Sequence, residues 1–318
     1  MITLEAYFCA QAFGYLHYYG SKPPPPPALT WLSRNLGHDR IFGVNGVFPA
    51  NTLMPERIRD IRHLDAMYPE LYVDYVDAIW PGARSNVYQI GNPQWKSFAD
   101  PLLDLAAVKY VVFSRPLTDV PTGYNEVYSE PAATIYRNNG AFARARYVTN
   151  VLKLPDRLTP AIMKARIKEL RTGVFLEDYF KQQPATWSCP APGLPPVEFL
   201  QDDASRVRLR VDSPCDGFVV LADLLFPGWN ATVNGHDAPI YKANYAFRAV
   251  EVQAGANDIV MTYSSTAWRL GVPLAAVTLI GVFVAGAFQL VRRRSLKNGH
   301  AGGRAIRGGA RDRADQPL

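Results

Sequence analysis

The sequence has few of the residues that build covalently linked or metal-bound cores. Among its 318 residues only three are cysteine and five are histidine. An odd number of cysteines without regular spacing excludes a disulfide framework, and the scattered histidines have no metal-ligand spacing. Cys189 and Cys215 could pair in an oxidising compartment, an alternative that the sequence leaves open.

Short motifs of the common catalytic and cofactor-binding loops are also missing. The sequence contains no phosphate-binding P-loop, no G-x-G-x-x-G dinucleotide-binding turn and no G-x-S-x-G nucleophile elbow. We therefore expect neither a metal nor a cofactor.

Positive and negative charges balance in the part of the chain that precedes the C-terminal tail. The formal net charge is +6, and the tail from Arg292 to Leu318 holds eight of the 34 basic residues but only two of the 28 acidic ones. The rest of the chain therefore carries 26 charges of each sign. The basic balance belongs to the tail and indicates no nucleic-acid partner. The small and charged residues of the tail predict disorder over 292–318.

The most informative stretch without charge lies just before this tail. Leu270–Val291 holds 22 residues without a charged side chain, and at a rise of ~1.5 Å per residue it spans a hydrocarbon core of roughly 30 Å. We predict a transmembrane helix over 268–291 that contacts the lipid bilayer, with a buried core helix as the alternative. Basic flanks stay in the cytoplasm, so the preceding residues are expected outside. The predicted anchor residues are Trp268, Arg292, Arg293 and Arg294.

The first residues of the sequence do not have the pattern of an export signal. Met1–Tyr19 is apolar and aromatic, but it has no basic start and no small-residue cleavage site. We expect the chain to be the C-terminal part of a longer membrane protein, with residues 1–27 forming a membrane exit and a stiff proline spacer. A tail-anchored cytoplasmic protein is the alternative for the whole chain, and a Pro-rich recognition ligand is the alternative for the spacer.

Helix and strand patterns alternate over residues 28–155 and predict an α/β-type domain. Apolar residues recur at helical spacing in 67–80, and a helix followed by a buried strand is predicted over 101–114. A hairpin is predicted over 125–138. Single strands are predicted at 40–44 and 145–151.

After a connecting helix and linker at 156–194, in which the helix is predicted over 159–170, only strand patterns follow. Arg206–Val211 alternates charged and apolar residues, as a strand with one buried face does. Asn234-Gly235 favours a hairpin turn. Seven short strands predict an antiparallel β-sandwich over 195–265. The expected fold class is α+β, an α/β-type domain followed by this sandwich and one C-terminal transmembrane helix.

The last part of the strand-rich region resembles a known family. The run FPGWNATVNGHDAPIYKANYAFRAVEVQAGANDIVMTYSSTAWRLG is similar to the C-terminal signature of YfhO-like bacterial membrane proteins, in which a PGW hairpin precedes a terminal transmembrane helix. Shorter similarities occur at Arg40–Gly43, Leu102–Val112 and Arg144-Ala145-Arg146.

The resemblance implies a polytopic protein that is similar to membrane glycosyltransferases using lipid-linked sugar donors. In such proteins the catalytic acidic residues lie in early loops between transmembrane helices. This sequence has no such helices, so those residues have no counterpart in it. The resemblance therefore implies the accessory outer portion of such a protein.

Aromatic and polar residues of the signature form a candidate glycan contact. Sugars bind aromatic faces through their C–H surfaces, and nearby amide or guanidinium groups supply hydrogen bonds. The predicted contacts are Trp229, Tyr241, Asn244, Tyr245 and Arg248. The structural alternative makes Trp229 a core anchor and Asn244 a turn residue.

Three functions are compatible with the sequence. The first is a non-catalytic extracytoplasmic module that docks on a polytopic glycosyltransferase core or holds a cell-envelope glycan. The second is a stand-alone anchored module that binds carbohydrate or protein. The third is a hydrolase with paired carboxylates, but surface charges on a helix are the simpler interpretation, and we predict no catalytic residue. The acidic residues concerned are Asp60, Asp65, Asp74 and Asp77.

Overall fold

The computed structural model describes residues 25–44, 47–62, 68–82, 98–177, 189 and 193–305. The chain divides into two units, Met1–Thr262 and Tyr263–Leu318. Most of the predicted membrane exit and spacer, the acidic residue Asp65 and the last part of the tail lie outside the described residues.

A five-stranded mixed sheet forms the first part of the larger unit. Its strands are β1 (Arg40–Gly43), β2 (Arg59–Asp60), β3 (Val108–Phe113), β4 (Tyr124–Glu130) and β5 (Ala133–Asn138). They lie in the order β2-β1-β3-β5-β4. Strand β1 is parallel to β2 and β3, whereas β5 is antiparallel to β3 and β4. The predicted strand at 40–44 and the predicted hairpin are confirmed.

Helices cover both faces of this mixed sheet. Helix α1 (Pro27–Asn35) packs Leu29 and Leu32 against one face. It starts at the last proline of the spacer, because proline at the first helical position loses no hydrogen bond. Helices α2 (Glu70–Ile79) and α3 (Pro101–Leu105) contribute to the core on the other face. The helical spacing in 67–80 therefore predicted α2 correctly.

The connecting helix is shorter than the sequence suggests. Helix α4 (Pro160–Ala165) is capped by Thr159, whose hydroxyl accepts from the Ile162 amide. A separate 3-10 turn, Glu169–Arg171, follows it.

Two antiparallel sheets form a sandwich-like arrangement, as predicted. The remaining strands in chain order are β6 (Ala145–Val148), β7 (Asn150–Val151), β8 (Gly173–Val174), β9 (Glu198–Asp202), β10 (Arg206–Ser213), β11 (Gly217–Leu221), β12 (Trp229–Val233), β13 (His236–Ala238), β14 (Tyr241–Ala243), β15 (Phe247–Val252) and β16 (Gly255–Tyr263). One of the two sheets has the strand order β13-β12-β16-β10-β9 and the other the order β14-β15-β11-β6. Strands β7 and β8 form a separate parallel pair.

The two sheets share a core that follows the predicted alternation. Val207, Leu209 and Val211 of β10 are buried, while Arg206 and Arg210 are exposed. Asn234 and Gly235 both have positive φ, which is the geometry of the predicted two-residue hairpin turn.

Strand β11 is buried along its whole length because both of its faces are covered. Phe218 and Val220 pack into the core that contains α2 and α3. Val219 and Leu221 pack into the core between the two sandwich sheets. The sheet that contains β11 is therefore the middle layer of the larger unit.

Residues from before position 195 complete this middle sheet. Strand β6 pairs with β11, with Tyr147 opposite Val219. The pairing that the sequence left open is also present, because Cys189 and Cys215 form a disulfide with a Cα–Cα distance of 5.8 Å.

The second unit is dominated by one long helix. Helix α5 runs from Thr266 to Ala305. Its segment Ala267–Leu290 has a mean hydropathy of 2.2 and no buried residue, so it is long and apolar enough to cross a membrane. The helix continues beyond Arg292 to Ala305, where the sequence predicted a disordered tail. Arginine, leucine and lysine favour helix, which accounts for the continuation.

Gly217 provides a test of the packing between β6 and β11. A Cβ at this position would lie 2.6 Å from Cε2 of Tyr147 and 2.6 Å from the Val148 carbonyl oxygen. We expect Gly217→Ala to lower the free energy of unfolding by about 1–3 kcal/mol, as overpacking does. Gly193→Ala is the matched control, since a Cβ added there would meet nothing within 4 Å. Chemical denaturation of the full chain in detergent measures both, and equal stability of the two variants would contradict the packing.

Candidate functional site

The predicted glycan contacts separate into buried and partly exposed residues. Trp229 begins β12, packs partly against the sandwich core and lines a cleft. Tyr241 packs edge-on against Phe218 with ring centroids 5.7 Å apart. Asn244 and Arg248 are buried, with 0% and 2% of their surface exposed. Glycan contact by these residues stays a prediction, and in this structure Asn244 and Arg248 serve internal contacts.

Asn244 and Tyr245 form the tight turn between β14 and β15. Both have positive φ, at 47° and 75°, which suits asparagine but is unusual for tyrosine. The Phe175 amide donates to Oδ1 of Asn244 at 3.0 Å, and the Tyr245 hydroxyl donates to Oδ2 of Asp74 at 2.8 Å. The turn interpretation of Asn244 is therefore confirmed, and these two bonds fix the turn to the rest of the unit.

Several arginines and aspartates from distant parts of the sequence form a charged cluster that no motif predicted. We call it the arginine–aspartate cluster, and its members are Arg40, Arg59, Arg144, Arg248, Asp202 and Asp223. Arg40 and Arg59 come from the mixed sheet. The other four lie on the sandwich strands or directly beside them.

Asp223 is the centre of this cluster. Its Oδ1 accepts from Nη2 of Arg40 at 2.6 Å and from Nε of Arg144 at 2.9 Å. Its Oδ2 accepts from Nη2 of Arg144 at 2.8 Å and from Nη2 of Arg248 at 3.0 Å. One carboxylate thus holds three guanidinium groups from distant parts of the sequence.

Arg144 connects Asp223 to the second carboxylate of the cluster. Its Nη1 lies 2.8 Å from Oδ2 of Asp202, and Arg59 lies 2.7 Å from the same oxygen. Nδ1 of His38 is also 2.7 Å from that oxygen. Arg144 is only 3% exposed, and its guanidinium lies over the ring of Phe199.

The pKa values show that both carboxylates stay ionised. Burial alone would raise the pKa of Asp223, but the charges and hydrogen bonds of Arg144, Arg40 and Arg248 outweigh it and hold its pKa far below the ordinary value. The pKa of Asp202 is also lowered, because hydrogen bonds from Arg144 outweigh its burial. Burial lowers the pKa of Arg248 to about 10, against the raising effect of Asp223.

A cleft of about 670 Å³ opens beside the arginine–aspartate cluster. Its walls include Arg40, Arg59 and Arg144 from the cluster, together with Arg62 and Trp229. The volume lies in the range of small-molecule sites, ~300–1,000 Å³. The Cζ atom of Arg248 lies 3.9 Å from the centroid of the Trp229 ring.

Three acidic residues of the hydrolase alternative lie in the described structure, and each of them has a bonded partner. Nε and Nη2 of Arg62 bond the carboxylate of Asp60, whose pKa is raised by burial. Asp74 accepts from Tyr245, and Oδ1 of Asp77 accepts from the Gly82 amide at 3.0 Å. The described residues contain no group of three or more His, Cys, Asp or Glu that could hold a metal ion.

Sequence reasoning missed most of this cluster. Arg40 and Arg144 were noticed only as part of a family resemblance, and Arg59, Asp202 and Asp223 were not singled out. One signal was available, because Asp223 interrupts the apolar run GFVVLADLL. A charged residue inside such a run needs a buried partner.

The fold and the site define a strand-rich unit followed by an apolar helix long enough to cross a membrane. Residues 226–275 match a family model described as bacterial membrane protein YfhO. The matched segment runs from the start of the PGW turn through β12–β16 into the first part of α5. The predicted resemblance to YfhO-like membrane proteins is thereby confirmed for this segment. No curated protein and no solved structure matches the chain.

The arginine–aspartate cluster predicts a strong effect of removing one carboxylate. Asp223→Asn should lower the free energy of unfolding by about 3–5 kcal/mol, because it leaves buried arginines without their counter-charge. Asp258→Asn is the control, since Asp258 pairs with Arg208 where both side chains are exposed, and its loss should cost less than about 1 kcal/mol. Chemical denaturation of both variants provides the measurement.

The same variant should change the dependence of stability on pH. The lowered pKa of Asp223 means that its stabilisation is complete above its unfolded pKa of ~3.9 and is lost as the pH falls below that value. Below about pH 4 the stability of the native chain should therefore fall more steeply than that of Asp223→Asn. If the free energy of unfolding of the two proteins depended on pH in the same way, Asp223 would not be the source of this pH dependence.

Proposed function

We propose that this chain is the membrane-anchored, extracytoplasmic accessory module of a YfhO-like membrane glycosyltransferase involved in cell-envelope glycan or glycolipid assembly. The observation that carries the proposal is the family match, which includes both the signature strands and the start of the apolar helix. The partners are the lipid bilayer and a polytopic transmembrane glycosyltransferase core. A cell-envelope glycan is the third partner.

Two observations support an extracytoplasmic position for the strand-rich unit. Arg292, Arg293 and Arg294 follow the apolar segment of α5, and basic flanks favour the cytoplasmic side. The disulfide between Cys189 and Cys215 suits an oxidising compartment. Both favour an orientation with the larger unit outside and the tail inside.

The charges at the site favour a non-catalytic module. A general acid that works near neutral pH needs a raised pKa, whereas Asp202 and Asp223 have lowered ones. Asp60 has a raised pKa, but its carboxylate is bound by Arg62 and its side chain is only 7% exposed. The module therefore supplies a rigid surface and a cleft, and the transfer chemistry belongs to the membrane core.

A stand-alone carbohydrate- or protein-binding module is the second candidate. The cleft beside Trp229 favours it, because such a cleft needs no membrane core in order to bind a ligand. Copurification from native membranes distinguishes the two. A stoichiometric polytopic glycosyltransferase supports the accessory module, and its absence supports the stand-alone module.

The proposed topology is tested by labelling single cysteines in intact cells. In a Cys9→Ser background, Ser205→Cys should react with a membrane-impermeant thiol reagent, because Ser205 is exposed on the larger unit. Ser295→Cys should react only after the membrane is permeabilised. Labelling of position 295 in intact cells would reverse the orientation.

The non-catalytic role is tested with the full chain in lipid nanodiscs. Given a lipid-linked sugar donor and candidate acceptors, the chain alone should transfer no sugar, because Asp60, Asp74 and Asp223 already have arginine or tyrosine partners. Radiolabel transfer measures turnover. Turnover that is lost in Asp74→Asn but kept in the exposed-site control Asp258→Asn would establish an enzyme instead.

A further inference from the structure

The cleft beside the arginine–aspartate cluster has more positive than negative charge. Among the described residues that line it, the arginines are Arg40, Arg57, Arg59, Arg62 and Arg144. The aspartates are Asp60, Asp202, Asp203 and Asp223. Five arginines and four aspartates therefore line the cleft, an excess of one positive charge. Arg248, which binds Asp223 and contacts Trp229, lies next to these lining residues. An excess of positive charge in a cleft attracts anions, so it favours an anionic ligand there.

Two arginines, Arg62 in the wall of the cleft and Arg248 beside Trp229, have unused hydrogen-bonding capacity. Arg62 has a fully buried side chain, and its Nη1 has no hydrogen-bond partner in the described structure. Nε and Nη1 of Arg248 are likewise buried without such a partner. Native proteins bond the great majority of their buried donors, so these groups mark a place where acceptors are in short supply.

Two arginines of the cleft can reach a ligand that enters from solvent. The Arg57 side chain is 84% exposed and lies 3.8 Å from Asp203, which is a loose ion pair. The Arg59 side chain is 27% exposed. Both therefore present guanidinium groups at the open side of the cleft, where planar donors suit a phosphate or a carboxylate.

Trp229 adds an aromatic surface to the same cleft. Aromatic rings pack against the C–H faces of sugars, while the surrounding charged groups fix their polar substituents. A cleft of about 670 Å³ is large enough for a small saccharide. The combination of an aromatic wall and excess arginine thus differs from a site for a neutral sugar.

We propose that this cleft binds a saccharide that carries an anionic group, a phosphate or a carboxylate. Arg57 and Arg59 contact the anionic group and Trp229 contacts the sugar ring. The inference rests on the glycan-holding part of the proposed function and specifies the class of glycan. It is independent of where sugar transfer takes place.

Calorimetry on the full chain in uncharged lipid nanodiscs tests the proposal. The probes are glucose 1-phosphate, glucuronic acid, glucose and inorganic phosphate, at low ionic strength so that screening stays small. At least one of the two anionic sugars should bind at least tenfold more tightly than glucose and than inorganic phosphate. The comparison between these two sugars shows which anionic group is preferred.

Variants assign the binding to the cleft. Arg57→Gln should weaken the binding of the preferred anionic sugar by about three- to tenfold, as loss of a charged hydrogen bond at an exposed position does. Arg210→Gln is the matched control, because Arg210 is exposed and is not among the residues that line the cleft. Trp229→Leu should abolish the preference for the anionic sugar over inorganic phosphate, and circular dichroism checks that this variant folds.

The results that overturn the inference are distinct from those that overturn the proposed function. The proposal that the cleft binds an anionic saccharide would be refuted if glucose and the anionic sugars bound equally. It would also be refuted if Arg57→Gln and Arg210→Gln had equal effects on binding. Binding of inorganic phosphate as tightly as the sugars would also refute it. Sugar transfer by the chain alone would instead refute the accessory role and leave the ligand class intact.

Discussion

The carboxylate of Asp223 is the interaction on which the larger unit depends. It binds Arg40 from the mixed sheet, Arg144 from the position just before β6 and Arg248 from strand β15. Arg144 extends the same network to Asp202 at the end of β9. A network of this kind is specific, since each guanidinium must arrive at one orientation for the others to be satisfied. Ion pairs as well as apolar packing thus fix the position of the mixed sheet relative to the sandwich.

The sheet that contains β11 contributes to two apolar cores. Alternate side chains of β11 pack into the core of the mixed sheet and into the core between the two sandwich sheets, so one sheet contacts both. The Asn244-Tyr245 turn reinforces this layer through its bonds to Phe175 and Asp74. The segment that matches YfhO therefore makes contacts with residues that are far from it in the sequence.

Periodicity predicted the local elements well, because it depends on neighbouring residues alone. The alternation in Arg206–Val211, the helix at Glu70–Ile79 and the Asn234-Gly235 turn all followed from short-range pattern. The site could not be predicted in this way. Arg40 and Asp223 are 183 residues apart, and no spacing in the sequence indicates that they meet. Pairing of β6 with β11 escaped prediction for the same reason.

The position of β6 has a consequence for how this architecture can be divided. Strand β6 lies at one end of its sheet, next to β11, and it comes from residues that precede the strand-rich segment. A fragment beginning at residue 195 would expose the apolar edge of β11, and unpaired edges recruit other chains. The strand-rich segment is consequently not a portable domain. In evolution it could be exchanged between proteins only together with the polypeptide that supplies its missing edge.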